Sequence, residues 1–196
     1  MDVAMRISEA PVNEFKVASD RIEIKKISLR AKTPTVDQMK DMAVLIETSL
    51  GNLKLQLMPE AAPNSARSFV RYARSGFYDG TSIFRVSQKY FLEAGNPADW
   101  PQDSANRKRI HVLWPAPAEA SAVKQTKGTV SMRKLSDGNT THYFFIISEA
   151  NPALDGLHVP FARVSEGLDV LDKIAAAEVD GDKPKQRIEI RKITVQ

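Results

Sequence analysis

No cysteine occurs among the 196 residues. That removes disulfides, thiolate metal sites and a cysteine nucleophile together. Histidine is almost as scarce: His111, His142 and His158 lie far apart, without the i,i+4 spacing of a zinc helix, so neither a metal nor any other cofactor is expected. No apolar run approaches the roughly 18 residues that span a bilayer, and the opening MDVAMRISEA lacks the basic-then-apolar order of a secretion signal. No membrane association is expected, and the compartment stays open. Charge of one sign is also lacking, since 28 Lys and Arg are interspersed with 24 Asp and Glu for a net +4. The densest basic cluster, Arg107, Lys108 and Arg109, is short and without interleaved aromatics, which argues against a nucleic-acid surface. There is no GxSxG elbow, Walker loop or GxGxxG turn, so covalent and nucleotide chemistry are both disfavoured.

What is present is apolar material in short, punctuated runs. With 42% hydrophobic residues, the chain can bury one core of ordinary size. Ala43 to Thr48 and the alternating Leu53, Leu55 and Leu57 read as a hairpin around Gly51-Asn52. Ala62, Ala66, Phe69 and Ala73 recur at helical spacing behind Pro63 and stop at Gly76, which predicts a helix over 63–75. Strand-like runs follow at 82–86, 90–94, 128–133, 143–148 and 158–164, separated by turn signals such as Ser136-Asp137-Gly138-Asn139 and Leu154-Asp155-Gly156. A second helix is expected over 168–177. The final run 187–195 alternates Ile188, Ile190 and Ile193 with charges, as an edge or half-exposed strand would. Many short strands with two helices suggest a barrel or a sandwich. Between Asn96 and Gln125 lies a long irregular stretch holding four prolines with Trp100 and Trp114; such length points to function or disorder, and tryptophan argues against disorder.

The first forty residues carry an internal repeat. Arg21 to Leu29 reads RIEIKKISL and Arg187 to Val195 reads RIEIRKITV, identical or conservatively changed throughout. Upstream, Asp2-Val3, Arg6-Ile7 and Ala10 align with Asp169-Val170, Lys173-Ile174 and Ala177, one residue out of step. Only the last helix and strand are repeated. The division expected is therefore 1–40, an extension and linker, and 41–196, the domain itself.

Arg85 stands among aromatic residues at strand positions, and such residues belong more often to a core than to a site. Their order gives them more weight. GFYDGTSIFRV (76–86), KGTVSM (127–132), YFFI (143–146), LDGLHVPFARV (154–164) and EGLDVLDKI (166–174) resemble cyclophilin motifs in the family's order and spacing, covering about Met42 to Gln196. The resemblance implies a mainly β fold, a closed eight-stranded antiparallel barrel capped by two helices, with 1–40 similar to the tail of a preceding domain of the same kind. It implies peptidyl-prolyl cis-trans isomerase activity in protein folding, on Pro-containing peptides or unfolded protein clients. By position Arg85 matches the catalytic arginine. Tyr90, Phe91, Phe145 and Leu154 match the apolar pocket for the proline ring, and His158 its edge. Glu93 stands where the family has glutamine, Tyr143 replaces a second glutamine, and Arg133, Lys134 and Leu135 replace small or amide residues along the groove. Ala153 stands where many members carry an aromatic that helps bind cyclosporin, so weak cyclosporin binding is implied.

The set suits the reaction. Rotation about X-Pro opposes amide resonance, a barrier of roughly 18–20 kcal/mol. A donor aimed at the prolyl nitrogen favours the twisted state, and an apolar pocket holds the ring. Three readings remain open from sequence. One is a divergent isomerase of reduced activity, favoured by Arg85 and Phe145. Another is a Pro-peptide binding module or scaffold with little or no turnover, favoured by Glu93, Tyr143 and the bulky groove. The last is an adaptor for a nucleic acid or another anionic partner, using Arg107 to Arg109 with Lys124, Lys127, Arg133 and Lys134.

Overall fold

The computed structural model describes residues 33–87, 90–101, 115–117 and 119–196, and from Pro34 onward these belong to one unit. The repeat at 1–29, with His111, Trp114 and the basic run 107–109, lies outside the described residues.

Alternation in sequence becomes alternation in space. Strands β1 (Ala43–Thr48) and β2 (Gly51–Leu57) form the expected hairpin, with Val44, Ile46, Leu53, Leu55 and Leu57 all buried. After a helix over 63–74 come β3 (Thr81–Ser87), β4 (Phe91–Ala94), β5 (Thr129–Lys134), β6 (Thr140–Ile147) and β7 (Val159–Glu166). A small hairpin of β8 (Val179–Asp180) and β9 (Lys183–Pro184) precedes β10 (Ile188–Val195). Eight of these close antiparallel in the order β1-β10-β3-β4-β6-β5-β7-β2, the expected barrel. The final strand is the half-exposed alternative of the two expected. β10 is no edge: it pairs with β1 on one side and β3 on the other, and Ile188, Ile190 and Ile193 face the core while its charges face solvent. Its alternation reflects two faces, and closure leaves no edge to expose.

Helix α2 (Pro63–Arg74) has proline in its first turn and no side-chain cap at Ala62. Its unpaired N–H groups are served instead by Glu119, whose carboxylate accepts from Asn64 and Ser65 at 2.9 and 2.6 Å. The inner face of α2 drives Phe69 against Tyr78, Phe144 and Phe161, with ring centroids 4.9–5.3 Å apart. Helix α3 (Leu168–Ala175) buries Leu171 and Ile174, and begins at Gly167 with φ 93°, where a Cβ would collide with the Asn52 carbonyl. A third, short helix, α1 (Val36–Lys40), precedes the barrel. Thr35 and Gln38 close a capping box on it and Met39 is fully buried. In the irregular stretch, a 3-10 turn at Pro97–Asp99 leads to Trp100, buried against Phe77 and donating its indole N–H to the Phe77 carbonyl at 3.1 Å. Among the described residues no helix is long and apolar enough to cross a membrane.

Candidate active site

Side chains fill the barrel interior, so a peptide has to bind outside. The period of two decides which residues meet it. On β4 Leu92 and Ala94 point inward, as do Phe144 and Ile146 on β6 and Val130 and Met132 on β5. Their neighbours Phe91, Glu93, Tyr143, Phe145, Ser131 and Arg133 therefore point out. Register then aligns one row across four strands: Arg85 opposite Glu93, Glu93 opposite Phe145, and Phe145 opposite Ser131. Arg85 joins the row because the β3–β4 register shifts between Ile83 and Arg85, an irregularity of the kind that re-aims a side chain. Below the row, Gly95 holds φ 93° with the His142 carbonyl 2.7 Å from where a Cβ would sit, so β4 turns tightly under β6.

Arg85, Phe91, Glu93, Arg133, Phe145, Leu154 and His158 line a cleft of about 160 Å³. Five of the seven belong to the catalytic and pocket positions inferred from sequence, and Glu93 is the expected neighbour of the arginine. Phe91 and Phe145 lie 5.6 Å apart, and His158 meets Phe145 edge-on at 4.8 Å. The His158 Nδ1 faces the Lys134 N–H at 3.4 Å. Burial, then the charges of Arg133 and Lys134, hold the His158 pKa below its ordinary value, so the ring is neutral at pH 7 and serves as wall.

Charges run along the rim as a chain. Arg85 places its guanidinium 5.0 Å over the Phe91 ring. Its Nε donates to Asp182 Oδ2 at 2.9 Å, and its Nη2 lies at the same distance from that oxygen. Its Nη1 is 3.6 Å from Glu93 Oε2. Glu93 is almost wholly buried, and its other oxygen accepts from Arg133 Nη1 at 3.3 Å. The expected Arg85–Glu93 neighbourhood exists, but the carboxylate nearest to Arg85 is Asp182. Sequence reading missed it, since it arrives from the β8–β9 hairpin 97 positions later. The hairpin is fixed to β3 by the Val86 N–H, which donates to the Asp182 carbonyl at 2.7 Å.

Other candidates fall around the cleft rather than in it. Tyr90 is 45% exposed in the turn before β4, its N–H on the Ser87 carbonyl, because the wall position goes to Phe91. Lys134 donates from Nζ to the Gly156 carbonyl at 3.2 Å, across the rim. Leu135 lies past the end of β5, 40% exposed. Tyr143 is half-buried over His142 with ring centroids 4.4 Å apart, under Arg133 and beside Phe84, and its hydroxyl is 3.4 Å from Asn96 Oδ1. Ala153 sits exposed in a 3-10 turn, Pro152–Leu154. Among the described residues no three His, Asp or Glu side chains gather as a metal site.

A closed eight-stranded barrel with an arginine over a surface cleft walled in part by Phe91, Phe145 and Leu154 defines the class of the fold, and comparison with known proteins gives its family. Residues 43–195 match the model of the cyclophilin type peptidyl-prolyl cis-trans isomerase family, and the chain belongs to that family. It is 34% identical to peptidyl-prolyl cis-trans isomerase-like 3 of Gibberella zeae, over 79% of this chain and 96% of that one. It is 30% identical to peptidyl-prolyl cis-trans isomerase A of Dickeya dadantii, over 87% of this chain and 90% of the relative. Among solved structures, a cyclophilin type isomerase of Cryptosporidium parvum, determined in the presence of the dipeptide Ala-Pro, has the same fold. It superposes with a TM-score of 0.67 at 23% identity, covering 79% of this chain and 98% of that one.

Proposed function

We propose that the cleft beside Arg85 catalyses cis-trans isomerisation of X-Pro bonds in unfolded or Pro-containing protein segments, at a reduced rate. The observation that carries this is the Arg85 side chain, 45% exposed at the mouth of a cleft whose walls include Phe91, Phe145 and Leu154. The proline ring is held against those walls. The carbonyl side of the bond swings while a guanidinium N–H meets the prolyl nitrogen, whose lone pair becomes available only as resonance is lost. Such a contact is stronger in the twisted state than in either ground state, which is what lowers a barrier. No proton, nucleophile or cofactor is needed for rotation. Reduced rate follows from the company of the donor left for substrate: Asp182 holds Nε and Nη2 in place, and Glu93 stands beside Nη1. Cyclosporin binds weakly on this reading, because Ala153 offers a methyl where an aromatic would cover the ligand.

Arg85→Ala tests the assignment. Loss of one donor of this kind is worth about 1.4–4 kcal/mol, so the rate on a short X-Pro peptide should fall roughly tenfold to a thousandfold. The Glu93 carboxylate beside Nη1 favours a second reading, a module that holds Pro-peptides without turnover. Peptide binding by the wild type with no rate above background would establish that module and reject the isomerase.

A further inference from the structure

The rim of the cleft holds more positive charge than its carboxylates neutralise. Arg85, Arg133 and Lys134 face it, against Glu93 and Asp182. Asp182 is spent on Arg85, and Glu93 is shared between both arginines. The next acid along the rim, Asp155, is turned to the Gln125 N–H at 2.8 Å and Lys124 at 3.2 Å. Among the described residues Lys134 has no acidic partner; a neutral carbonyl, that of Gly156, holds its ammonium beside the turn that carries Leu154 and His158. Arg133 touches Glu93 through Nη1 alone, and with 52% of its side chain exposed it keeps donors for a second acceptor. An arginine fork and an ammonium from consecutive residues thus flank the place where the proline ring sits, on the side of β5.

We propose that this cleft prefers X-Pro segments with a carboxylate side chain adjacent to the proline, bound by Arg133 with Lys134. The proposal rests on the isomerase reading and adds to it the substrate class. A carboxylate there would supply the acid that the rim lacks, accept from the planar fork of Arg133, and leave Glu93 in place beneath it. A lysine at the same place would meet like charge. The lowered pKa of His158, caused in part by Arg133 and Lys134, agrees with a positive field reaching the cleft wall.

The test uses the full chain and four amidated, acetylated peptides, with Glu or Lys immediately before or immediately after a single proline, so that no terminal carboxylate competes. In at least one of the two placements, kcat/KM for Glu should exceed that for Lys by about two- to tenfold at low salt, as exposed charge pairs allow. The ratio should shrink at high salt. It should fall toward one in Arg133→Gln, Lys134→Gln double substitution, and partly in Lys134→Gln alone, which leaves the Glu93 contact intact. Glu/Lys ratios of one or less in both placements, or a preference unchanged in the double variant, would overturn the proposal. An Ala-Pro peptide separates the two claims. If it is not turned over, the isomerase reading fails, and binding of the four peptides followed by NMR decides the charge preference by the same ratios.

Discussion

Asp182→Ala should lower kcat/KM by about fivefold without changing the fold. In the structure one carboxylate oxygen faces both Nε and Nη2 of Arg85 at 2.9 Å, which fixes the plane of the guanidinium and leaves Nη1 toward the cleft. Both partners are about half exposed, 45% and 48%, so solvent screens the pair. Exposed pairs contribute about 0.2–1 kcal/mol, and two contacts to one oxygen put this pair near the upper end. A loss of about 1 kcal/mol in the transition state is about fivefold in rate. The effect should fall on kcat more than on KM, since the arginine's aim matters most when the bond is twisted and the ring is held by other residues. The Val86 N–H to Asp182 carbonyl bond belongs to the backbone and survives the substitution, so the thermal midpoint should hold. Exchange NMR on an X-Pro peptide gives the rate directly, with no coupling enzyme. If the variant stays within twofold of wild type while Arg85→Ala is inactive, Asp182 has no positioning role and the argument that it fixes the plane of the guanidinium is refuted.

Glu93→Gln removes the carboxylate that shadows Nη1, and turnover should rise about two- to fivefold; a clear fall, with folding intact, contradicts the view that Glu93 restrains Arg85. Burial among Tyr72, Phe77 and Tyr143 lowers the His142 pKa from 6.5 to about 4. The unfolded chain therefore binds a proton between those values that the folded chain refuses, and stability is lost as pH falls from about 6.5 to about 4. The loss is about 2 kcal/mol once the shift is discounted for the part of the ring that solvent reaches. Denaturant titrations at pH 7 and pH 4.5 should show a smaller drop for His142→Phe than for wild type, and equal drops would exclude this histidine. Phe69→Ala opens the packing among Tyr78, Phe144 and Phe161 and should cost about 3–5 kcal/mol; a loss under 1 kcal/mol by urea unfolding would mean the rings reclose over the gap.

What sequence shows of this molecule follows the range of the forces involved. The hairpin of β1 and β2, and helix α2 from Pro63 to Arg74, were legible because one buried face repeats within a few residues. Helix α1 was not: five residues contain no full period, and Met39 is its single buried side chain. The place of β10 in the barrel was hidden as well, because Ile188, Ile190 and Ile193 alternating with charges look alike in an edge strand and in a closed barrel wetted outside. At the site, motif order brought Arg85, Phe91, Phe145, Leu154 and His158 to one cleft. Asp182 could not be seen that way, since a carboxylate in a Gly-Asp turn ordinarily shapes the turn, and only the docking of β8–β9 on β3 brings it to the arginine.

The two faces of the barrel wall explain how the chemistry can shift while the fold stays. Glu93, Arg133 and Tyr143, which depart from the family's pattern, all point outward beside inward residues such as Leu92, Met132 and Phe144 that make the core. Altering an inward residue forces repacking at about 1–3 kcal/mol, whereas substituting an exposed side chain such as Arg133 ordinarily stays within about 0.5 kcal/mol. The backbone sets a different limit. Ala94 is buried on the inward face of β4, and the residue that follows it is Gly95. At Gly95 φ is 93° and the His142 carbonyl occupies the space of a side chain, so any larger residue would push β4 away from β6. That displacement would carry Glu93 away from Phe145 and break the row that places Arg85 beside the cleft. Substitution at the rim can therefore change which peptides are held and how fast they turn over, while the glycine beneath it keeps the arginine in place.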